Sequence, residues 1–227
     1  MSWTHNEITS SIDSNIRGGL HGVTNAAISL DQIEREVISE RLSIGFEWTR
    51  KGKMQTQGMF QGCNGIPVDM LGISKILNAD VGQKIKHFVI PPIAALFEEE
   101  AIDFIGSPLH DSPSWKVYFD NGYTMHKNKI ATRDKPYVWI DSTPREDGMW
   151  DAFIFNYPKV IQFISMTAIL ENPQDCLNFS WGIKTDIFPA PEWLVTEIIS
   201  RITKRFIYYY RQLPTPIQPN TQSDITT

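Results

Sequence analysis

The sequence predicts an α+β fold, in which helices at both ends of the chain flank a mainly antiparallel β region. Apolar residues recur every three or four positions near each end of the chain, as they do on one face of a helix. The middle of the chain instead carries short runs of β-branched and aromatic residues separated by turn residues, which is typical of strands. The predicted regions, in order, are helices at 1–52, a β-rich core at 53–190, a helix at 191–213 and an extended arm at 214–227.

The N-terminal region contains two capping boxes, in which a Ser or Thr is followed three residues later by Glu or Gln. Thr4 and Glu7 form the first box, and Ser29 and Gln32 form the second. The first box precedes isoleucines spaced four residues apart, and a pair of glycines then ends that helix. The sequence therefore predicts two successive helices before residue 52.

The second of these helices is predicted at about 29–51. One side of it carries a mainly apolar stripe, which consists of Leu30, Ile33, Val37, Arg41, Ile44 and Trp48. The opposite side is polar and carries Glu34, Glu40 and Glu47. Basic residues in the last turn suit the negative end of the helix dipole. The prediction is an amphipathic helix that packs through its apolar stripe.

The central region contains several strand patterns. The stretch "WKVYFDNGYTMHK" alternates around Asn121-Gly122, which predicts a β-hairpin. The runs "PYVWID" and "WDAFIF" predict two strands joined by a turn at Asp147-Gly148. Two further strands are predicted in "KHFVIPP" and "KVIQFISMTAIL", whereas "IAALFEEEAIDFIG" fits either a helix or a helix followed by a strand.

The C-terminal region predicts a helix followed by an arm. Pro191 suits the first helical position, and an apolar stripe follows it at four-residue steps, formed by Leu194, Ile198, Ile202 and Phe206 and extended by Tyr209. The prolines after residue 213 exclude a continuing helix and favour an extended, polyproline-like arm.

Composition excludes several classes of protein. The formal net charge of −5 argues against a dedicated nucleic-acid groove, because affinity for phosphate requires concentrated Lys and Arg. No apolar run has the length of a membrane span, and the start of the chain does not have the pattern of a secretory signal peptide. The two cysteines, Cys63 and Cys176, fit neither a zinc pattern nor a disulfide framework, so they are interpreted as buried thiols of a cytoplasmic product.

Candidate catalytic groups are sparse in the sequence. No two histidines have the helical spacing of a metal pair, and "LHDSPSW" fits a turn better than a nucleophilic triad, although it contains His110, Asp111 and Ser112. One arrangement suggests a site for a divalent metal ion, because four carboxylates surround one predicted turn. They are Asp141, Glu146, Asp147 and Asp151. A polar turn is the simpler interpretation, so we predict no enzyme, no metal and no cofactor.

Several stretches resemble one family. They include "ISLDQIEREVISERLSI", "IPVDM", "HFVIPP", "AIDFIGS", "KPYVWIDSTPREDGMWDAFIFN" and "YYYRQL", and they extend from about residue 29 to residue 213. Together they resemble a virion structural protein of crAss-like short-tailed bacteriophages. The most specific parts are the "KPYVWID" to "FIFN" stretch and the closing "IYYYRQL". The family pattern "NCIPVDC" is replaced here by "GCNGIPVDM", so one cysteine is displaced and Met70 replaces the other, which argues against metal binding by these thiols.

The resemblance implies a non-enzymatic ring component of the head-to-tail connector, in the neck or tail below the portal. It implies a homo-oligomeric ring, expected to be a dodecamer, that contacts the portal and adjacent rings while DNA passes through its lumen. The expected location is the virion, after assembly in the host cytoplasm. The expected contact residues lie at the end of the last helix and in the arm, and they are Phe206, Tyr209, Tyr210, Leu213, Pro214, Pro216, Ile217 and Pro219.

Two alternatives remain at this point. The first keeps the virion but makes the protein a tail-hub or capsid-associated component. The second is a metal-dependent hydrolase that uses the four carboxylates of the predicted turn.

Overall fold

The structure is a computed structural model of the 227-residue chain, and it describes residues 3–19, 28–50, 56–69, 86–94, 101–109, 113–119, 136–156, 161–179 and 187–212. These residues form three α-helices and a seven-stranded sheet, so the predicted α+β class is confirmed. The helices are α1 (His5–Gly19), α2 (Leu30–Arg50) and α3 (Glu192–Gln212). Two short 3-10 helices span Thr56–Met59 and Pro173–Phe179.

The predicted starts of α1 and α2 are confirmed by their caps. The Thr4 amide donates to the Glu7 carboxylate at 2.8 Å, and the Glu7 amide donates back to the Thr4 hydroxyl at 3.2 Å. At α2, the Gln32 amide donates to the Ser29 hydroxyl at 3.1 Å. Each bond satisfies a backbone donor that the first helical turn leaves unpaired.

The start of α3 differs from its prediction by one residue. The Pro191 carbonyl accepts hydrogen bonds from the amides of Leu194 and Val195, at 2.9 and 3.1 Å. Pro191 therefore occupies the N-cap position, directly before the first helical residue.

The sheet contains seven short strands. They are β1 (Gln61–Asp69), β2 (Lys86–Ile90), β3 (Ile102–Gly106), β4 (Lys116–Phe119), β5 (Tyr137–Asp141), β6 (Trp150–Phe155) and β7 (Phe163–Ala168). Their order across the sheet is β3-β7-β1-β2-β6-β5-β4. All neighbouring strands are antiparallel except β4 and β5, which are parallel. The mainly antiparallel character is therefore confirmed.

Individual strand predictions have different outcomes. The strands predicted in "KHFVIPP", "PYVWID", "WDAFIF" and "KVIQFISMTAIL" are confirmed as β2, β5, β6 and β7. The ambiguous stretch before Gly106 ends in the strand β3, while 95–100 lies outside the described residues. The predicted hairpin turn at Asn121-Gly122 also lies outside them, and the strand before it, β4, pairs in parallel with β5.

Strand β1 joins the two parts of the sheet. Residues 61–67 pair with β7, whereas the described pairing with β2 consists of Val68 with Phe88 and Asp69 with His87. A bulge lies between Asn64 and Ile66, where Gly65 has a φ of 96°. This backbone conformation is accessible to glycine without the steric cost that a side chain would add.

One hydrophobic core connects all three predicted structured regions. It combines apolar side chains from the three helices with those from one face of the sheet, including Ile8, Ile33, Ile198, Ile140 and Ile164. Four residues of the predicted stripe of α3 are buried, namely Leu194, Ile198, Ile202 and Phe206, whereas Tyr209, which was expected to extend it, is 59% exposed. Most of the predicted stripe of α2 is buried as well. Within that stripe, Leu30 is 56% exposed and Trp48 is partly buried.

The other face of β4, β5 and β6 carries an aromatic cluster. Alternate residues of a strand point to opposite faces of the sheet. Val138 therefore packs in the main core, whereas Tyr137 and Trp139 pack in the aromatic cluster on the other face. The Tyr137 ring stacks on Phe155 with centroids 4.9 Å apart, and Trp139 stacks on Phe153 at 5.0 Å. Cross-strand aromatic pairs of this kind add to the stability of the sheet.

Arg41 is the most unusual residue of the core. It lies within the apolar stripe of α2, and its side chain is completely buried. Its guanidinium donates to three backbone carbonyls, those of Pro189 (2.8 Å), Leu170 (3.1 Å) and Met59 (2.8 Å). Burial lowers the pKa of Arg41 to about 9, which leaves the side chain charged at neutral pH.

These three bonds join parts of the chain that are distant in sequence. The carbonyl of Met59 belongs to the 3-10 helix before β1, that of Leu170 follows β7, and that of Pro189 precedes α3. A buried carbonyl that accepts no hydrogen bond lowers the stability of the fold. The Arg41 guanidinium avoids this loss, because it donates to all three carbonyls at once.

Replacement of Arg41 by alanine is expected to lower the free energy of unfolding by about 3–5 kcal/mol, because two buried carbonyls and one partly buried carbonyl lose their donor and a cavity remains. Urea unfolding followed by circular dichroism measures this loss. Arg41→Lys keeps the charge but lacks the planar fork, so we expect an intermediate value. The control is Arg35→Ala on the exposed side of α2, with an expected change within about 0.5 kcal/mol. Equal values for Arg41→Ala and Arg35→Ala would contradict the proposed role of the buried guanidinium.

Candidate functional site

The predicted contact surface begins at the C-terminal end of α3. Phe206 is only 6% exposed and packs in the core of its own chain, so it offers a partner little surface. Tyr208 and Tyr209 are 67% and 59% exposed. The helix thus changes from a packed to a largely exposed aromatic segment within one turn. Large exposed aromatic side chains are enriched where proteins contact one another.

The remaining predicted contact residues are not described by the structure. The backbone of Tyr210 belongs to α3, but its side chain is outside the described set. Five residues of the predicted surface also lie outside the described residues: Leu213, Pro214, Pro216, Ile217 and Pro219. Their contact role stays a prediction.

A network of ion pairs fixes α3 against α2. Arg201 makes two bonds of 3.1 Å to the carboxylate of Glu47 and one of 2.8 Å to Glu197. Arg205 pairs with Glu36 and Glu40, each at 2.5 Å. The hydrogen bonds to Glu47 and Glu197 raise the pKa of Arg201 above its ordinary value. The network determines how the end of α3 is oriented on the rest of the chain.

Glu40 corrects one part of the sequence prediction. It was placed on the polar side of α2, but its side chain is only 7% exposed and lies between Arg201 and Arg205. The position is buried because α3 packs along this side of α2. A buried carboxylate requires such partners, since its desolvation is otherwise costly.

Two tryptophans extend the same helix–helix contact. Trp48 near the end of α2 and Trp193 in the first turn of α3 have ring centroids 4.9 Å apart. Trp193 remains 40% exposed. The apolar stripe of α2 therefore ends in an aromatic pair at the surface.

The predicted turn between β5 and β6 is held by its own side chains. The Asp147 carboxylate accepts from the Met149 amide at 3.0 Å, and the Asp141 carboxylate accepts from the Thr143 amide at 3.0 Å. The Arg145 carbonyl accepts from the Gly148 amide at 2.9 Å. These carboxylates act as turn acceptors, which agrees with the simpler of the two interpretations made from the sequence.

Asp151 forms the centre of a small polar cluster beside this turn. One of its carboxylate oxygens lies 2.7 Å from His87 Nε2 and 3.0 Å from an Arg145 guanidinium nitrogen. Asp141 is its direct cross-strand neighbour. Two carboxylates opposite each other repel, and the charge of Arg145 beside Asp151 offsets that repulsion.

The four carboxylates do not converge on a metal site. Within the described part of the chain, which includes all four, no group of three or more His, Cys, Asp or Glu side chains is arranged to hold a metal ion. The metal-dependent hydrolase stays an untested alternative. The stretch with His110, Asp111 and Ser112 lies outside the described residues.

Cys63 and Cys176 are adjacent, which the sequence did not indicate. They are 113 positions apart, yet their Sγ atoms are 2.7 Å apart in the core. Both are buried thiols, as predicted. The hydrogen bond to Cys176, together with burial, raises the pKa of the Cys63 thiol far above its ordinary value.

Comparison with protein-family models finds no match, and no curated protein matches the sequence. Among the helices that the structure describes, none has the length and apolar character needed to cross a membrane.

Replacement of Glu40 by glutamine is expected to lower the free energy of unfolding by about 1–3 kcal/mol, because it removes a buried charge that two arginines share. Urea unfolding measures the effect. The matched control is Glu197→Gln, which removes an exposed i,i+4 partner of Arg201 and is expected to cost less than about 1 kcal/mol. A loss for Glu197→Gln as large as that for Glu40→Gln would contradict the buried network.

Gly148 provides a test of the turn between β5 and β6. Its φ is 76°, and an added Cβ would meet no atom within 4 Å. Gly148→Ala is therefore expected to cost about 1 kcal/mol through backbone strain alone. Gly18→Ala is the control, since Gly18 lies inside α1 with equally open space, and there alanine is expected to stabilise. Thermal unfolding of both variants measures the difference, and a stabilising Gly148→Ala would contradict the assigned turn.

Proposed function

We propose that this protein is a non-enzymatic virion structural protein, a ring component of the head-to-tail connector of a crAss-like phage. In this role, copies of the chain form a ring, expected to be a dodecamer, below the portal. The genome passes through its lumen without sequence-specific binding. The portal protein and the adjacent neck or tail rings are its expected partners.

The observation that carries this proposal is the change in exposure along the last turns of α3. Phe206 anchors the helix in the core, and the exposed Tyr208 and Tyr209 follow directly before the proline-spaced stretch at 214–227. An anchored helix that ends in exposed aromatic side chains is well suited to reach a neighbouring molecule. Ordering a proline-spaced arm costs about 1–2 kcal/mol per residue in backbone entropy, which a partner's contacts would offset.

Two further features support a structural role. The polar side chains of the turn between β5 and β6 hold one another and the backbone, as described for Asp147 and Asp151. This turn lies within the stretch that most specifically resembles the phage family. The acidic net charge of −5 also suits a channel through which DNA must move without being retained.

A second virion role is a tail-hub or capsid-associated protein. The same exposed end of α3 favours any role with a partner subunit. Electron microscopy of virions labelled on this chain would separate the two, because a connector ring lies on the tail axis directly below the portal.

The double variant Tyr208→Ser and Tyr209→Ser is expected to weaken assembly by tenfold or more, because exposed aromatic anchors contribute much of the binding free energy at interfaces. Sedimentation velocity and mass photometry would measure rings formed by the protein alone and with the portal protein. The control is Leu30→Ser, which removes an exposed apolar side chain from the start of α2 instead.

The variants should fold as the wild type does, since both tyrosines are largely exposed, and circular dichroism verifies this. A wild-type protein that remains monomeric with every connector partner would overturn the proposed function. Assembly that survives the tyrosine substitutions but fails after deletion of 214–227 would place the contact in the arm instead.

A further inference from the structure

The two cysteines of the chain meet at one point of the core. Cys63 lies in β1 and Cys176 lies in the 3-10 helix Pro173–Phe179. Their sulfurs are 2.7 Å apart, and a disulfide requires about 2.05 Å. The relative exposures of the two residues are 0% and 5%. Since the sequence contains only these two cysteines, no other intramolecular pairing exists.

The backbone around the pair is already fixed in place. The Gln61 side-chain amide donates to the Pro173 carbonyl at 2.9 Å, and the Cys176 thiol donates to the Gly62 carbonyl at 3.2 Å. These bonds hold the 3-10 helix against the residues of β1 that directly precede Cys63. Closure of a disulfide therefore requires only a small approach of the two side chains.

We propose that Cys63 and Cys176 form a redox-responsive pair, which closes into an intramolecular disulfide when the protein meets a small-molecule disulfide. The closed pair would lock the 3-10 helix Pro173–Phe179 onto β1, the strand that joins the two parts of the sheet. The bond would close a loop of about 113 residues and thereby restrict the unfolded chain strongly. This inference rests on the sulfur geometry and is independent of the proposed connector role.

The reaction is a pair of thiol–disulfide exchanges. Cys176 reacts first as its thiolate, because its side chain is the less buried of the two. It attacks one sulfur of glutathione disulfide, so that a mixed disulfide forms and one glutathione thiolate leaves. Cys63 then attacks the Cys176 sulfur and releases the second glutathione. Both protein thiols lose their protons, and their two electrons reduce one glutathione disulfide to two thiols.

The surroundings of the pair make this reaction slow in the reduced, folded protein. Burial and the neighbouring thiol keep Cys63 protonated, and the adjacent Asp175 carboxylate further disfavours a second negative charge. A thiol whose pKa is raised forms more of the reactive thiolate as pH rises. The rate of closure is therefore expected to increase with pH through the range from 7 to about 9.

The test compares full-length reduced protein with protein incubated in glutathione disulfide. After an acid quench and alkylation in denaturant, the reduced sample should show two alkylated cysteines and the oxidised sample none. Peptide mapping without reductant should identify one linked peptide containing both residues. The melting temperature of the oxidised protein should exceed that of the reduced protein by about 5–15 °C, and dithiothreitol should reverse the shift.

Cys63→Ser and Cys176→Ser are the matched controls, and neither should show the increase in melting temperature. If a serine variant does not fold, the comparison of oxidised with reduced wild-type protein still decides the question. Three outcomes would overturn the inference. The first is that the native protein keeps two free thiols under conditions that oxidise the denatured chain. The second is a covalent dimer on a non-reducing gel. The third is a lower melting temperature after oxidation.

Discussion

The hydrogen bonds of Arg41 are the constraint on which the rest of the fold depends. Three chain segments meet beside α2, and each brings a backbone carbonyl that accepts a hydrogen bond from Arg41. A purely apolar side chain at this position would leave those carbonyls unsatisfied in the core. The guanidinium provides donors in three directions, and its stem still packs as part of an otherwise apolar stripe. The junction of helix, sheet and 3-10 helix is thus organised around one charged group.

The contact between α2 and α3 applies the same principle nearer the surface. Its apolar centre is flanked by carboxylates of one helix and arginines of the other, and Glu40 is shared by two arginines. Exposed ion pairs contribute little to stability, but a carboxylate that is almost fully buried gains from every donor around it. The network fixes the direction of α3, and it thereby determines where the exposed side chains of Tyr208 and Tyr209 lie relative to the core. The geometry of the exposed end is therefore set by the charges of Arg201 and Arg205, which lie two turns and one turn earlier in the helix.

The sequence predicts the three helices, the caps of α1 and α2, and five of the strands, including β4 as the first strand of the predicted hairpin, because these depend on local periodicity and local hydrogen bonds. Strand β1 escaped prediction, since its glycines and Pro67 obscure the alternation and the Gly65 bulge shifts it by one residue. The burial of Glu40 and the meeting of Cys63 with Cys176 depend on contacts between distant segments, which no local pattern encodes.

For the candidate site, the sequence assigns both Phe206 and Tyr209 to the apolar stripe of α3 and also to the contact surface. Phe206 is buried, as the stripe predicts, whereas Tyr209 is 59% exposed and does not extend the buried stripe. Phe206 follows the stripe because burial of a phenylalanine side chain in the core of its own chain is strongly favourable. The role of the arm rests on residues outside the described set, so it remains a prediction. The two arginines that orient α3 were visible in the sequence as basic residues, but their carboxylate partners belong to another helix.

The narrow pairing between β1 and β2 has a mechanical consequence. Hydrogen bonds along antiparallel strands resist sliding together, but they open one after another when the strands are pulled apart sideways. Two described residue pairs join these strands, whereas six join β1 to β7. Among the described residues, this seam therefore offers the fewest paired residues to resist a load applied across the sheet. Under tension, the described part of the sheet would open first between β1 and β2, while the strand pairs on either side stay together.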